Sequence, residues 1–510
     1  MTDIAGLVPF RQAAWDAAQS IPTAVVQVDG RDLTGSARLL ALRVASRFGA
    51  PTQCELTLHD PAGAGAWPGT ATPGSRLSVR IGGTDAPLFD GEVTAVSLAR
   101  TSDGVPVSRI RGYDRSYRLR TRQTVRVFES VTAAELASQL CGAVGVQVRD
   151  TAGDGPRFAR VVQHRQSDFD LLVEVSARAG RLVATAGETV TLATLATLAT
   201  LDRDGDAIPL RYGANLHEVT VESNVDRVAG SVTADGWDPA TAESYTSTVD
   251  NLRTGPEVHL LDGRVATVGE ATAVAQLVLD SRSAGALTVR GTAAGDARIR
   301  AGARIAVSGL APTVDGRFTV AEAVHTLDGN GFLTTFDTRP PPLPRPDPGS
   351  VVTLGRVTAV DDPQRRGRVR VALPAWRGVD AGWLGVVCPG AGRGKGIVAL
   401  PDVGDLVAVA LPHADPAAGL VLGSLFGAES PPDPGVDGAA TRRFTLHTAD
   451  GQSIVVDDAA HSLRLADRTG SFVELAPGAV RLHAQTDLVV EAPGHGLTIR
   501  AATVDFVQTT

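Results

Sequence analysis

Aromatic residues make up only 4% of this 510-residue chain, and there is a single methionine. A core with few large rings has to be assembled from many small side chains. The 55 glycines and 30 prolines then favour short strands joined by tight turns. Cysteine is scarce as well. Cys54, Cys141 and Cys388 are odd in number and lie in separate segments, which argues against a disulfide framework or a cysteine zinc site and fits a reducing compartment. No stretch approaches the ~18 apolar residues that a membrane span needs. The first twenty residues carry Asp3 early and lack the basic start and apolar run of a secretory signal. Synthesis and assembly in the cytoplasm are therefore expected. Positive charge is not in excess either: the formal charge is −8, so no general attraction to nucleic acid follows.

What the chain does have is a repeating unit in its last seventy residues. Ile454/Val456, Leu463/Leu465, Val473/Leu475, Val480/Leu482, Leu488/Val490, Leu497/Ile499 and Val504/Phe506 are apolar pairs two residues apart. Alternation with a period of two places both members of a pair on one face of a strand. Turn signals such as Asp450-Gly451, Thr469-Gly470, Pro477-Gly478 and Pro493-Gly494 fall between many of the pairs. Very short strands with one apolar face cannot close a core inside one chain, so the fourteen paired residues are expected to fill the centre of an intertwined rod made from several copies.

Two linkers divide the rest. Residues 339–349 hold the proline-rich run Arg339-Pro340-Pro341-Pro342-Leu343-Pro344, expected to be a stiff polyproline-like spacer. Residues 429–440 hold Pro431, Pro432, Pro434, Gly435 and Gly438. Between them, residues 350–428 offer five or six strand candidates, including Gly396–Ala399, and fit a small Greek-key barrel of the OB type. Upstream, residues 21–338 read as two β-rich sets, 21–128 and 213–338, around an α/β insert at 129–212. In the insert Thr132 and Glu135 form a capping-box pattern, and Ser167 caps a second helix that Gly180 ends. The period-three run Thr191–Leu201 is expected to be a short expansion in a surface hairpin. Residues 1–20 are an N-terminal extension.

Three segments carry a resemblance. The first is Gln163-His164-Arg165-Gln166-Ser167-Asp168-Phe169-Asp170-Leu171-Leu172, running on to Ala179-Gly180. The second runs from Gly355-Arg356-Val357 through Gly367-Arg368-Val369-Arg370-Val371 and Pro401-Asp402-Val403-Gly404-Asp405 to Val421-Leu422-Gly423-Ser424-Leu425. The third is the strand ladder after Phe444. Together they resemble the VgrG-type spike proteins of contractile injection systems, which fuse a hub like phage late-control D protein to an OB-fold and a trimeric β-helix. The shorter length and the extra N-terminal stretch are closest to extracellular, phage-tail-like particles.

The resemblance implies a mainly β fold with a few helices: a hub of two similar β-barrel-like domains, an OB-fold collar and, at 441–510, a trimeric β-helix or β-prism spike. It implies a homotrimer that meets a hexameric inner tube protein and other baseplate proteins. A PAAR-type tip protein would dock at the C-terminal end, and a membrane would be met only transiently on firing. Assembly in the cytoplasm would precede incorporation into an injection particle.

Arg365-Arg366-Gly367-Arg368 lies in an OB-type domain, but without interleaved aromatic platforms it reads as a charged turn rather than a nucleic-acid site. Gly390 to Gly396 lacks the first glycine and the Ser/Thr of a phosphate-binding loop. Cys388 sits on an apolar strand, where an inert thiol is the default. The linker 429–440 is too short for an inserted lysozyme domain with two positioned carboxylates. His447, His461, His483 and His495 could reach a three-fold axis in principle, His495 best of them, yet no His-x-His pair is present. No enzymatic activity, cofactor, metal or nucleic acid is expected. The rival readings are an envelope-polysaccharide-degrading β-helix protein and an OB-fold nucleic-acid-binding protein.

Overall fold

The computed structural model describes residues 22–33, 38–59, 71–82, 87–100, 104, 106–200, 207–238, 243–261, 265–344 and 349–508. The extension 1–20 and residues 345–348 of the proline-rich linker lie outside them. No helix among the described residues is long and apolar enough to cross a membrane.

The two β-rich sets share one eleven-stranded sheet. They join where Glu322–Asp328 pairs antiparallel with Arg38–Arg47, with Val324 opposite Ala45. Each half nevertheless centres on a core of its own, although Leu327 and Phe332 of the second set join the first. One gathers Val26, Leu56, Leu58, Leu77, Val79 and Ile110; the other gathers Leu210, Leu216, Val289, Ile305, Val307 and Phe336. Small β-branched and leucine side chains fill both, as the shortage of aromatics demands.

The insert carries the first three helices. Helix α1, Ala133–Gly142, starts with the capping box: Glu135 N donates to Thr132 Oγ1 at 3.2 Å, and Thr132 N donates to Glu135 Oε2 at 2.9 Å. Helix α2, Asp168–Arg178, is capped by Ser167, and Gly180 follows it at φ +75°, the left-handed position that glycine occupies without strain.

The period-three run begins in a hairpin as expected, but a buried one, and its later part is helical. Thr189–Ala193 is a strand paired with Leu182–Ala186, and helix α3, Leu195–Thr200, follows at once. Val190, Leu192, Ala193 and Leu198 are buried. A threefold repeat satisfies both elements by splitting. Its strand part buries positions two apart, and its helical part places Leu195 and Leu198 on one face at i, i+3.

A fourth helix, α4, Val268–Gly285, was not foreseen. Its small apolar residues run nearly all round it, so no clear stripe marks it. Thr267 caps it through Glu270 N, and Glu270, buried, pairs with Arg178 of α2 at 3.2 Å. The helix covers a three-stranded sheet of Glu243–Asp250, Ser231–Asp238 and Glu257–Leu261, in that order.

Residues 351–425 close into a five-stranded barrel: Val351–Ala359, Arg368–Leu373, Val379–Val386, Leu420–Leu425 and Leu406–Leu411. Gly355 faces its interior, where a Cβ would lie 2.4 Å from Val371 Cγ1 and 2.9 Å from Val409 Cγ2. Gly396–Ala399, expected to be a strand, is not one. Residues 391–400 are all exposed, because the five strands already complete the barrel and leave that segment no ladder partner.

The proline-rich run is also more than a spacer. Leu343 packs against a core of Phe48, Leu182, Leu198 and Leu277, so the segment Arg339–Pro344 is strapped to the hub.

Leu425–Thr510 is a second unit, distinct from the first. Five strands, Arg443–His447, Ser453–Asp457, Ser462–Ala466, Phe472–Ala476 and Ala479–His483, form an antiparallel meander in sequence order. The expected ladder of seven apolar pairs thus holds strand structure only through Val480/Leu482. Residues 484–508 are in no strand.

Candidate assembly interface

Register decides what the meander presents. Phe444 stands opposite Val456, Val456 opposite Leu463, Leu463 opposite Leu475, and Leu475 opposite Val480. A second column runs Leu446, Ile454, Leu465, Val473 and Leu482. Directly paired residues share a face, so two unbroken apolar columns lie side by side on one surface. Leu463 is half-buried; the other nine are 39–72% exposed. Soluble surfaces rarely leave so continuous an apolar patch uncovered.

The opposite face is polar and is the better covered of the two in the single chain. Glu474 bridges Arg464 at 3.5 Å and Arg481 at 3.7 Å. Arg464 also lies over the Phe472 ring, 4.0 Å from its centroid, and Phe472 stacks on His483. His447 and His483 fall on this polar face by register. Among the described residues no group of three or more His, Cys, Asp or Glu is placed to hold a metal.

Eight of the fourteen residues named from the sequence, Ile454, Val456, Leu463, Leu465, Val473, Leu475, Val480 and Leu482, are brought into the columns. Phe444 and Leu446 belong with them, and their spacing of two was the signal that marks them. The other six, Leu488, Val490, Leu497, Ile499, Val504 and Phe506, lie beyond the last strand and are all at least half exposed.

The collar is fixed to the hub by a charged joint and a ring stack. Arg160, on the hub strand Arg157–Gln163 that pairs with Arg126–Thr132, donates to the Asp380 carbonyl at 2.5 Å and pairs with Glu129 at 3.0 Å. Arg370 binds the Asp380 carboxylate at 2.5 Å. Burial alone would raise the pKa of Asp380, but its bonds to Arg370 and Gly382 N outweigh that and hold it below the usual range. His164 stacks on Trp376 with centroids 4.5 Å apart, and Val162 of the hub enters the barrel core. Within the basic run, Arg368 is tied to Asp362 by two bonds of 2.7 and 3.1 Å, and that contact depresses the Asp362 pKa. Arg366 N donates to the same carboxylate. The run is a turn organised around Asp362.

Buried polar groups in the hub tie elements together. Asp114, fully buried, accepts from Thr52 N and Thr185 Oγ1 at 2.7 Å each and from Ser116 N at 3.0 Å. Burial raises its pKa against those bonds. His325, also buried, has its pKa pushed down to about 4 by desolvation and bonds Thr334 Oγ1 at 2.9 Å. Burial pushes the Cys141 thiol up to about 12 and raises that of Cys54 too, so neither forms the reactive thiolate at neutral pH.

A sheet-built body, a closed barrel strapped to it and a ladder with an uncovered apolar face define a structural assembly protein. The family is equally plain. The model of the phage tail baseplate hub (GPD) family matches residues 47–331, more than half of the chain, and that of the type VI secretion system/phage-baseplate injector OB domain matches residues 353–426. The chain belongs to the phage tail baseplate hub family, and its place is that of a structural hub in a contractile injection system. No curated protein matches it.

Among solved structures, one Escherichia coli protein is a component of the type VI secretion system with structural similarity to the T4 bacteriophage tail proteins gp27 and gp5. It is 14% identical over 78% of this chain and 99% of its own, with a TM-score of 0.52. A chain of a Francisella PdpA–VgrG complex is 7% identical over 91% of this chain and 87% of its own, with a TM-score of 0.54. At these identities the likeness is one of fold.

Proposed function

We propose that three copies of this chain form the central hub and spike of the apparatus, joining a hexameric inner tube to a membrane-puncturing tip. The observation that carries this reading is the pair of apolar columns on the C-terminal meander. Three such sheets facing inward would bury them against one another. Each buried Leu, Ile or Val contributes roughly 1.5–3 kcal/mol, repeated in every copy. The exposed residues Leu488 to Phe506 would continue the rod by pairing with strands of sister copies, which removes the free edges a single chain leaves.

In this reading the hub halves face the tube and baseplate proteins, the barrel forms the collar, and a PAAR-type tip protein docks on the blunt C-terminal end. The chain is not an enzyme: its ionic clusters are tied into structural contacts. It assembles in the cytoplasm, becomes part of an injection particle and meets a membrane only on firing. Light scattering of the purified chain tests the core claim. A particle of three times 52.7 kDa is expected, and a well-folded monomer in dilute solution would sink it.

A further inference from the structure

A cleft of about 880 Å³ lies between α4, α2, the edge strand Glu257–Leu261 and the proline-rich run Arg339–Pro344, and the assembly role proposed above makes no use of it. Three features converge there. First, among the described residues Glu257–Leu261 pairs only with Ser231–Asp238, in parallel, and ends its sheet. Its three consecutive residues His259, Leu260 and Leu261 all line the cleft. Side chains on a strand alternate between faces, so three in a row can border one cleft only if the strand's edge itself turns toward it. Second, Leu260, Val274, Leu277 and Val278 give the cleft an apolar floor. Third, Arg227 and Arg282 stand on its rim without a hydrogen bond or ion pair among the described residues. They are neighbours: the Arg227 stem packs within 3.7–3.8 Å of the Cβ position of Gly285, one helical turn after Arg282.

We infer that this cleft is a docking site for an extended acidic peptide segment of another protein. The segment would add a strand to Glu257–Leu261 through main-chain hydrogen bonds, as exposed sheet edges do. Alternate apolar side chains would rest on the α4 floor, and a carboxylate would meet the two free guanidiniums, whose planar forks suit bidentate pairing. Arg178 is already held by Glu270, and Arg339, which also lines the cleft, by Asp337, so the charge available to a ligand is that of Arg227 and Arg282. The acids Glu174, Glu222 and Asp226 also border the cleft. That mixture disfavours a polyanion such as nucleic acid and suits a peptide whose carboxylate is placed at one end.

The test uses the full-length protein and three fluorescein-labelled hexapeptides: Val-Thr-Val-Thr-Val-Glu, its counterpart with lysine in place of glutamate, and the glutamate peptide with N-methylated backbone amides. Fluorescence anisotropy should show saturable binding of the first alone. The double variant Arg227→Glu/Arg282→Glu, checked for unchanged melting, should bind it at least about tenfold more weakly. Equal binding of the glutamate and lysine peptides, or an unaffected double variant, overturns the charge assignment and with it the proposal. Undiminished binding of the N-methylated peptide overturns strand addition. Absence of binding to the assembled protein, as when a second copy closes the cleft, overturns it too. None of these results touches the trimer, which light scattering reads separately.

Discussion

The hub and the C-terminal meander are written in the same alternating pattern, yet they dispose of it in opposite ways. In the hub, Leu77 and Val79 alternate along Arg76–Ile81 and are fully buried, because other strands and loops of the same chain cover that face. In the meander, Ile454 and Val456 alternate just as cleanly and remain 39% exposed. Pattern sets the face; it does not supply the cover. A long chain folded back on itself can close two cores, whereas five strands of five residues each form a single layer with nothing of their own to lie against it.

That contrast can be broken most severely by Leu465→Asp. The substitution leaves the single-chain meander little changed but would bury an unpaired carboxylate per copy in the assembled rod, at several kcal/mol each. Loss of the trimer by light scattering is the expected outcome; an intact trimer with unaltered heat resistance would show that the columns are not the inward face.

The hub should answer to pH through a buried histidine. Folding buries His325 as the neutral ring with its pKa near 4, while the unfolded ring titrates near 6.5. Between these values the unfolded state holds the extra proton, so this residue lowers hub stability as pH falls from about 6.5 to about 4, by a total of about 3 kcal/mol. Asp114 and Glu270, whose pKa values burial raises, act in the opposite sense, so the His325 contribution is read as the difference between wild type and His325→Gln across a pH series of denaturant melts. Identical pH slopes for the two proteins would remove it.

Gly355→Ala sharpens the comparison from the collar. Its methyl would press on Val371 and Val409 inside a closed barrel, and a destabilisation of about 1–3 kcal/mol is expected in thermal unfolding of the collar, with the trimer retained. The smallest effect is expected from Arg481→Ala on the polar face of the meander. Its ion pair with Glu474 is long and largely exposed, so less than about 1 kcal/mol should be lost. A larger change by calorimetry would mean that the polar face, too, is covered in the assembly.

How much was legible follows the range of each interaction. The capping box at Thr132 and the cap at Ser167 are contacts over three residues, and both lie where the sequence puts them. The period of two in the tail and the barrel of residues 351–425 were likewise readable. Helix α4 was not, because its alanines and valines leave no polar stripe, although Thr267 and Glu270 carry the same spacing as the recognised cap. The burial of Leu192 and the helix that holds Leu198 were not legible, because a period of three matches no single element. Leu343 was misread as spacer because its partners, Phe48 and Leu277, are far away in sequence.

By itself, then, the sequence determined local matters: which residues cap, which turn, and which face of each strand is apolar. Those depend on neighbours within a few positions, where spacing is information enough. Only the tertiary structure decided that two β sets share one sheet through Val324 and Ala45, that a proline-rich run is strapped into the hub, and that the meander's columns are left bare. Each of these turns on whether a distant segment arrives to cover a surface, and no short-range pattern records that.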